Sequence, residues 1–139
     1  MRVLLDTCVI SEIRHPQGHT AVKQAVASLR DDDTFLSVIT LGELTSGVLR
    51  LDDSARRREL AAWLDGMERH YTARILGIDS ETARLWGELS ANAKRQGTPV
   101  PVSDGLIAAT ARQHGLHVMT RNVRDFTATG ALIVNPWEA

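Results

Sequence analysis

The chain has 139 residues, 43% hydrophobic and 24% charged, a composition typical of one folded domain with a sizeable core. Its formal net charge of −1 excludes nucleic-acid binding through a uniformly basic surface, so a polyanionic substrate would need a local basic patch or a metal ion. The single cysteine excludes an internal disulfide framework, and no apolar run approaches the roughly 20 residues of a membrane span. We therefore expect one cytoplasmic domain over residues 1–139, with no membrane association.

The first element is a short apolar run, Val3-Leu4-Leu5, that stops on an acid, Asp6. A run that is apolar at every position is typical of a strand buried on both faces. We interpret Thr7 as the cap of a short helix over residues 8–14. Asp6 would then lie at the carboxyl edge of the sheet, where open α/β sheets bind ligands, although a helix N-cap is an equally good role for it.

The remaining elements alternate between helices and strands. An amphipathic helix is predicted around residues 22–29, and the three acids at 31–33 are expected to form a solvated turn. We further predict strands over residues 35–39, 75–78, 117–119 and 132–134, helices over residues 40–51, 54–69, 80–96 and 103–114, and a loop over residues 122–130. Strands that alternate with helices imply a mainly parallel sheet covered on both faces.

Four acids fall at the ends of predicted elements or in the first turns of predicted helices: Asp6, Glu43, Asp104 and Asp125. Each also has an ordinary structural explanation. Glu43 would complete a capping box with Thr40, while Asp104 would suit the dipole of its helix and Asp125 a turn. All four nevertheless fall on one rim of the predicted sheet, so we expect them to meet there.

Carboxylates that meet in this way need a cation. One pair about 4 Å apart repels by on the order of 4 kcal/mol at an effective dielectric constant near 20. An all-oxygen ligand set without clustered Cys or His favours Mg²⁺ or Mn²⁺ over zinc. Such ions activate water and neutralise an attacked phosphate, so the acids indicate metal-dependent phosphoryl chemistry. The chain has no glycine-rich phosphate loop, which argues against a nucleotide cofactor.

Several stretches of the chain together resemble the PIN-domain nucleases, and in particular the VapC-type toxins of the FitB-like subgroup. They are Leu4-Leu5-Asp6-Thr7, residues 39–44, residues 103–109, residues 120–126 and the closing Asn135-Pro136-Trp137. The resemblance covers nearly the whole chain in order. It implies a PIN-like three-layer α/β/α sandwich around a central, mainly parallel five-stranded sheet.

The resemblance also implies an activity and its partners. It implies a Mg²⁺- or Mn²⁺-dependent endoribonuclease, the toxin of a toxin–antitoxin pair, with RNA as substrate, a VapB-like antitoxin as partner and a homodimer as assembly. The metal and catalytic roles are carried to four acids, most firmly to the first two: Asp6, Asp104, Glu43 and Asp125. The last motif supplies polar residues that would order the site or contact RNA: Thr120, Arg121, Asn122 and Arg124. The two arginines could equally be solvated surface residues.

Two positions depart from the family pattern. Cys8 stands where the family usually has Asn, and a thiol cannot replace the donors and acceptor of an amide. Gly105 stands where the family often has Ala, at a cost to the helix of roughly 0.5–1 kcal/mol. Neither departure removes a carboxylate.

Two other functions remain open from the sequence. A phosphatase of the haloacid-dehalogenase type also begins with a strand and an Asp, but it requires a second Asp two residues later, where this chain has Cys8. A non-catalytic module could act with its antitoxin as a DNA-binding repressor complex, although the complete set of acids argues against lost catalysis.

The crevice expected between Asp6, Glu43, Asp104 and Asp125, here called the acid crevice, also predicts how an antitoxin would bind. An Arg of the partner could bridge two carboxylates in place of the metal. The partner's other contacts would be apolar, along four residues of the early helices, which could equally be core residues only: Ile10, Ile13, Leu44 and Val48.

Overall fold

The computed structural model describes residues 1–138, so Ala139, the last residue of the expected domain, lies outside the described residues. The strands are β1 (Val3–Leu5), β2 (Thr34–Ser37), β3 (Ile75–Leu76), β4 (His117–Met119) and β5 (Ile133–Val134). The helices are α1 (Thr7–Arg14), α2 (Thr20–Ala27), α3 (Val38–Leu49), α4 (Ala55–Tyr71), α5 (Ser80–Arg95), α6 (Val102–His114) and α7 (Val123–Thr127). Over this part of the chain, no helix combines the length and the apolar character needed to cross a membrane.

β1 lies in the middle of a five-stranded parallel sheet, and it is buried on both faces as its apolar sequence predicts. The strand order is β3-β2-β1-β4-β5, and β1 pairs with β2 on one side and β4 on the other. The chain therefore moves outward from β1 through β2 to β3, and then returns to the other side of β1 with β4. Open α/β sheets bind ligands where the strand order reverses in this way, here at the carboxyl ends of β1 and β4.

The alternating side chains of β1 divide the core into two clusters. Val3 and Leu5 belong to the cluster covered by α1–α4, whereas Leu4 belongs to the cluster covered by α5–α7. All three side chains are completely buried. This arrangement gives the three-layer α/β/α sandwich that was expected.

Helix α6 packs closely against α5 because its buried face consists mostly of small residues. Gly105, Ala108, Ala109 and Ala111 are all buried. A Cβ atom at Gly105 would lie only 2.9 Å from Cδ1 of Trp86. The indole of Trp86 thus occupies the space of the missing methyl group, which explains why this chain has glycine where the family often has alanine.

The boundary between β2 and α3 differs from the prediction by two residues. The strand predicted over residues 35–39 ends at Ser37, and the helix predicted over residues 40–51 begins at Val38. The reason is a helix cap, because the hydroxyl of Ser37 accepts a hydrogen bond of 3.0 Å from the backbone N–H of Ile39.

This shift overturns the capping box predicted for Glu43. Ser37, not Thr40, is the N-cap of α3, and Glu43 lies in the second turn of the helix. The buried hydroxyl of Thr40 has no hydrogen-bond partner among the described residues. Glu43 is therefore not needed to satisfy the start of its helix.

Other boundaries differ in smaller ways. The loop predicted over residues 122–130 contains the short helix α7, so Asp125 lies in a first helical turn rather than in an irregular turn. The strands predicted over residues 75–78 and 132–134 are two-residue strands, β3 and β5. The strand predicted over residues 117–119 agrees with β4.

Candidate active site

Asp6 is held at the switch point of the sheet by both its backbone and its side chain. Its backbone N–H donates to the carbonyl of Met119 at 3.0 Å, which continues the pairing of β1 with β4 beyond the last strand residue. Its Oδ1 accepts from the backbone N–H of Thr7 at 2.9 Å, and its Oδ2 accepts from the hydroxyl of Thr120 at 2.8 Å. Asp6, rather than Thr7, is therefore the N-cap of α1, and the same residue, which is only 3% exposed, borders the crevice.

Thr120 orders the carboxylate of Asp6. It is completely buried, and its backbone N–H donates to the carbonyl of Val134 at 3.0 Å. Its hydroxyl oxygen accepts from the backbone N–H of Asn122 at 2.9 Å, which leaves the hydroxyl proton for Asp6. This geometry supports an ordering role for Thr120 and does not support a direct contact with RNA. The Asn122 side chain is exposed and makes no hydrogen bond at the start of α7.

Glu43 reaches the same region from α3. It is exposed, and its Oε1 accepts a hydrogen bond of 2.7 Å from the hydroxyl of Thr7. Because Thr7 directly follows Asp6, this bond ties the acid of α3 to the end of β1. Sequence reasoning missed this role of Thr7, since nothing local signals a partner 36 positions away.

Asp104 is the acid whose pKa is clearly raised by its surroundings. It lies in the first turn of α6 and is partly buried. Burial and then the negative charges of Asp6, Asp125 and Glu43 raise its pKa from 3.8 to about 7, with a further contribution from a hydrogen bond to Asp125. The structure thus brings the four predicted acids together, and their roles in catalysis stay predictions.

The donor set of this crevice fits a hard divalent ion that keeps much of its hydration shell. In residues 1–138, no group of three or more His, Cys, Asp or Glu side chains forms a ready-made metal cage. Mg²⁺ does not need one, because proteins commonly hold it through one or two carboxylates and several waters. Burial and then the negative charges of the neighbouring acids raise the pKa of Asp104, and a bound cation would stabilise its carboxylate against both effects.

Cys8, which stands where the family usually has Asn, contacts the carboxylate of Asp6 through its thiol. Its sulfur lies 3.6 Å from Oδ2 of Asp6 and 3.7 Å from the hydroxyl of Thr120. Burial raises the pKa of the Cys8 thiol, which keeps the group protonated and neutral at ordinary pH. The stronger contact to Asp6 comes from Thr120, so the local order of this loop does not depend on an amide at position 8.

The two arginines of the last motif lie in different surroundings. The guanidinium of Arg121 lies over the ring of Trp137, 5.6 Å from its centroid, and the indole N–H of Trp137 donates to Glu12 at 3.3 Å. Arg124 instead lines a groove beside Asp125. Sequence reasoning used Trp137 only as part of a motif and did not foresee its contact with Arg121.

The early helices leave a small groove beside Glu43. It has a volume of about 280 Å³, and its apolar walls include Leu44, Val48, Leu60 and Trp63. Leu44 and Val48 also contribute to the core, as does Ile10, which is only 1% exposed. Ile10 is therefore wrong as a docking residue, and Ile13 is partly buried against the same cluster.

Comparisons with known proteins extend over nearly all of this chain. A model of the PIN domain matches residues 3–132. The toxin FitB of Neisseria gonorrhoeae is 38% identical over 136 residues, which cover 97% of this chain and 98% of that protein. The VapC ribonuclease Y4jK of Sinorhizobium fredii is 36% identical over 137 residues, which cover 98% of each chain.

A solved structure agrees with this assignment. The structure of FitAB bound to an IR36 DNA fragment contains a chain that is 35% identical to this one, with a TM-score of 0.94 over 99% of this chain and 96% of the other. The match in sequence and the match in fold cover the same part of the molecule, including β1, α3, α6 and the segment after β4 that carry the four acids. The chain therefore belongs to the PIN-domain family.

Proposed function

We propose that this protein is a metal-dependent endoribonuclease and the toxin of a toxin–antitoxin pair. The observation that carries the proposal is the convergence of four carboxylates at the switch point of the sheet, where burial together with the charges of Asp6, Asp125 and Glu43 raises the pKa of Asp104 to about 7. The names of two relatives, a toxin and a ribonuclease, support the same function.

In the proposed site, Asp6 and Asp104 hold Mg²⁺ or Mn²⁺. When bound, such an ion supplies positive charge next to the attacked phosphate and makes water more acidic. Thr120 keeps one oxygen of Asp6 fixed, so this carboxylate presents a constant geometry to its ligand. Asp125, in hydrogen-bonding range of Asp104, supports the orientation of that second carboxylate.

Glu43 is the acid best placed to accept a proton. One of its oxygens is engaged by Thr7, and the side chain is exposed, so the second oxygen is free to contact a water molecule. In the reaction the oxygen of this water forms a bond to phosphorus, the bond from phosphorus to the leaving sugar oxygen breaks, and the proton of the water passes to Glu43. The leaving oxygen takes a proton from solvent.

The decisive experiment is RNA cleavage by protein that has been purified free of any antitoxin. Cleavage should require Mg²⁺ or Mn²⁺, stop with EDTA and return when the ion is restored. Asp32→Asn is a matched control, because Asp32 is an exposed acid outside the crevice. Cleavage that resists EDTA would contradict the metal-dependent mechanism.

The antitoxin partner is proposed to use the groove beside Glu43. Its apolar residues would pack on Leu44, Val48, Leu60 and Trp63, and a basic side chain would enter the acid crevice next to them. Expression of the toxin alone should arrest growth, and co-expression of the partner should restore it. Growth arrest by Asp6→Ala at wild-type strength would show that the toxicity is not nuclease activity.

A second role, in repression, is favoured by the similarity to a protein solved in complex with DNA. We propose that the chain forms a homodimer and that its complex with the antitoxin binds DNA, which is compatible with nuclease activity of the free toxin. A monomer by light scattering at micromolar concentration would contradict the dimer. If Asp104→Asn still supports DNA binding by the complex but no longer cleaves RNA, the two roles are separate.

A further inference from the structure

A continuous groove runs away from the acid crevice along the surface between α5 and α7. Its first part, about 620 Å³ in volume, is lined by Asp125, Arg124 and residues 98–100, among others. Its second part, about 520 Å³, extends to Arg95 and Arg112. The two parts share lining residues, namely Gln96, Thr127 and Ala128, so they form one channel, which we name the α5–α7 groove.

The α5–α7 groove is a local basic patch on a protein whose formal net charge is −1. Arg95 and Arg124 are both exposed, and neither makes a side-chain hydrogen bond or an ion pair with any residue in 1–138. Arg112 donates to the carbonyl of Thr129 at 3.0 Å and so stays close to the groove wall. Apart from Asp125 of the crevice, Glu88 is the one acid among the lining residues, so positive charge predominates.

The wall nearest the crevice is apolar and stiff. Pro99 and Val100 belong to the segment between α5 and α6, in which a second proline, Pro101, precedes α6. Proline restricts the backbone, so this wall keeps its shape when a ligand enters. A stiff apolar surface in the same groove as exposed guanidinium groups suits a nucleotide, which presents a flat base and a phosphate.

We infer that the α5–α7 groove holds the RNA strand on one side of the scissile phosphate. This inference rests on the proposed ribonuclease function and adds the path of the substrate. Arg124 contacts the phosphate nearest the acids, and Arg95 contacts a phosphate farther along the strand. The base between them lies against Pro99 and Val100. Repulsion between the acid crevice and RNA is thereby offset by contacts outside the crevice.

The test measures RNA binding separately from cleavage. Protein carrying Asp104→Asn is titrated with fluorescein-labelled single-stranded RNA of 12 or 3 nucleotides, and fluorescence anisotropy gives the Kd at several salt concentrations. Arg95→Gln is compared with Arg84→Gln, a matched control on the same helix, because Arg84 is also exposed but lies outside the groove. Arg95→Lys tests whether charge alone is sufficient.

Arg95→Gln should raise the Kd for the 12-nucleotide RNA about 3- to 10-fold and reduce the slope of log K against log salt by about 0.7, the value for one lost phosphate contact on a single strand. The effect should be smaller for the 3-nucleotide RNA, which cannot reach Arg95 from the crevice. Arg95→Lys should keep the salt slope, and Arg84→Gln should match the protein with neither arginine changed.

The outcomes separate this inference from the proposed function. If Arg95→Gln binds the longer RNA as tightly as Arg84→Gln does, while wild-type protein cleaves RNA with Mg²⁺, the path is wrong and the function stands. If wild-type protein does not cleave RNA but Arg95→Gln weakens RNA binding as expected, the α5–α7 groove binds RNA and the proposed function fails. A loss seen with duplex DNA and not with RNA would overturn the path.

Discussion

Helices α3 and α6 each bring one acid to the crevice, but they hold it in different ways. α6 is buried along most of its length by small residues, and Asp104 is partly buried in its first turn. α3 buries only one stripe, and Glu43 projects from its exposed side, tied to the rest of the site by Thr7. Close packing fixes Asp104 among like charges, whereas Glu43 stays in contact with water. The packing of each helix thus determines what its carboxylate can do.

The largest effect on RNA cleavage is expected when Asp104, the acid held by the close packing of α6, loses its charge. Asp104→Asn keeps the volume of the side chain but removes a proposed metal ligand, so kcat/KM for RNA should fall about 10³-fold or more. Glu43→Gln should cost about 10- to 100-fold, because water can partly replace an exposed group. Initial rates on labelled RNA with saturating Mg²⁺ measure both changes, with Asp32→Asn as the control. A larger loss of kcat/KM for Glu43→Gln than for Asp104→Asn would show that the exposed acid of α3 contributes more to catalysis than the packed acid of α6.

The pH dependence of stability tests the same difference without catalysis. In the folded, metal-free protein the pKa of Asp104 is about 7, above its ordinary value of 3.8, so the folded state binds more protons than the unfolded state between these values. The free energy of unfolding should therefore fall as pH rises through this window, by about 1–2 kcal/mol after allowance for the screening of a partly exposed group.

Urea unfolding in EDTA at pH 5 and pH 8 measures this change. Asp104→Asn should remove most of the decline and be more stable than wild type at pH 8, while Mg²⁺ should restore the stability of the wild-type protein. Parallel pH profiles for the two proteins would show that the pKa of Asp104 is not raised in the folded state.

The tight packing of α6 can be broken at one position. Gly105→Ala improves helix propensity by about 1 kcal/mol, but its methyl group would meet the Trp86 indole at 2.9 Å, so we expect a net loss of about 1–2 kcal/mol. Gly87→Ala is the control, because no atom lies within 4 Å of its new methyl group, and it should stabilise the protein by about 0.5–1 kcal/mol. Thermal unfolding gives both values, and equal gains at the two sites would disprove the close contact.

The smallest effect on activity is expected when the hydrogen bond from Thr7 to Glu43 is removed. Thr7→Val removes the hydroxyl that donates to Glu43, and kcat/KM should fall about threefold while stability changes by less than about 0.5 kcal/mol. Thr72→Val is a suitable control, since that exposed hydroxyl, at the C-cap of α4, donates to the carbonyl of Glu68 one turn earlier. Equal activity of the two variants would mean that Glu43 needs no tether.

Much of the fold and the meeting of the four acids were predictable from local patterns. The apolar run of β1 predicted a strand buried on both faces, and acids placed at element ends predicted one rim, because parallel strands end at the same edge of the sheet. The start of α3 was not predictable in this way. Its first residues, Val38, Ile39 and Thr40, are β-branched and favour a strand, but the capping hydroxyl of Ser37 prevails.

The features that hold the site together depend on distant contacts. Trp86 explains Gly105, and Thr7 positions Glu43, yet each pair is joined only by the folded chain. Helix α7 has five residues, too few to show a helical period, so the surface that it forms beside Arg124 could not be foreseen.

The pairing of β1 with β4 has a consequence for the time at which activity can arise during synthesis. Asp6 and Thr120 are joined by a hydrogen bond across 114 positions of the chain, and Asp125 is made later still. At about 5–20 residues per second, a ribosome needs on the order of 10 s to proceed from the first of these acids to the last. Until then the nascent chain lacks one of the four acids of the proposed site. Because such distant pairings also form slowly, an inhibitor translated beforehand can be waiting when the nuclease first becomes competent.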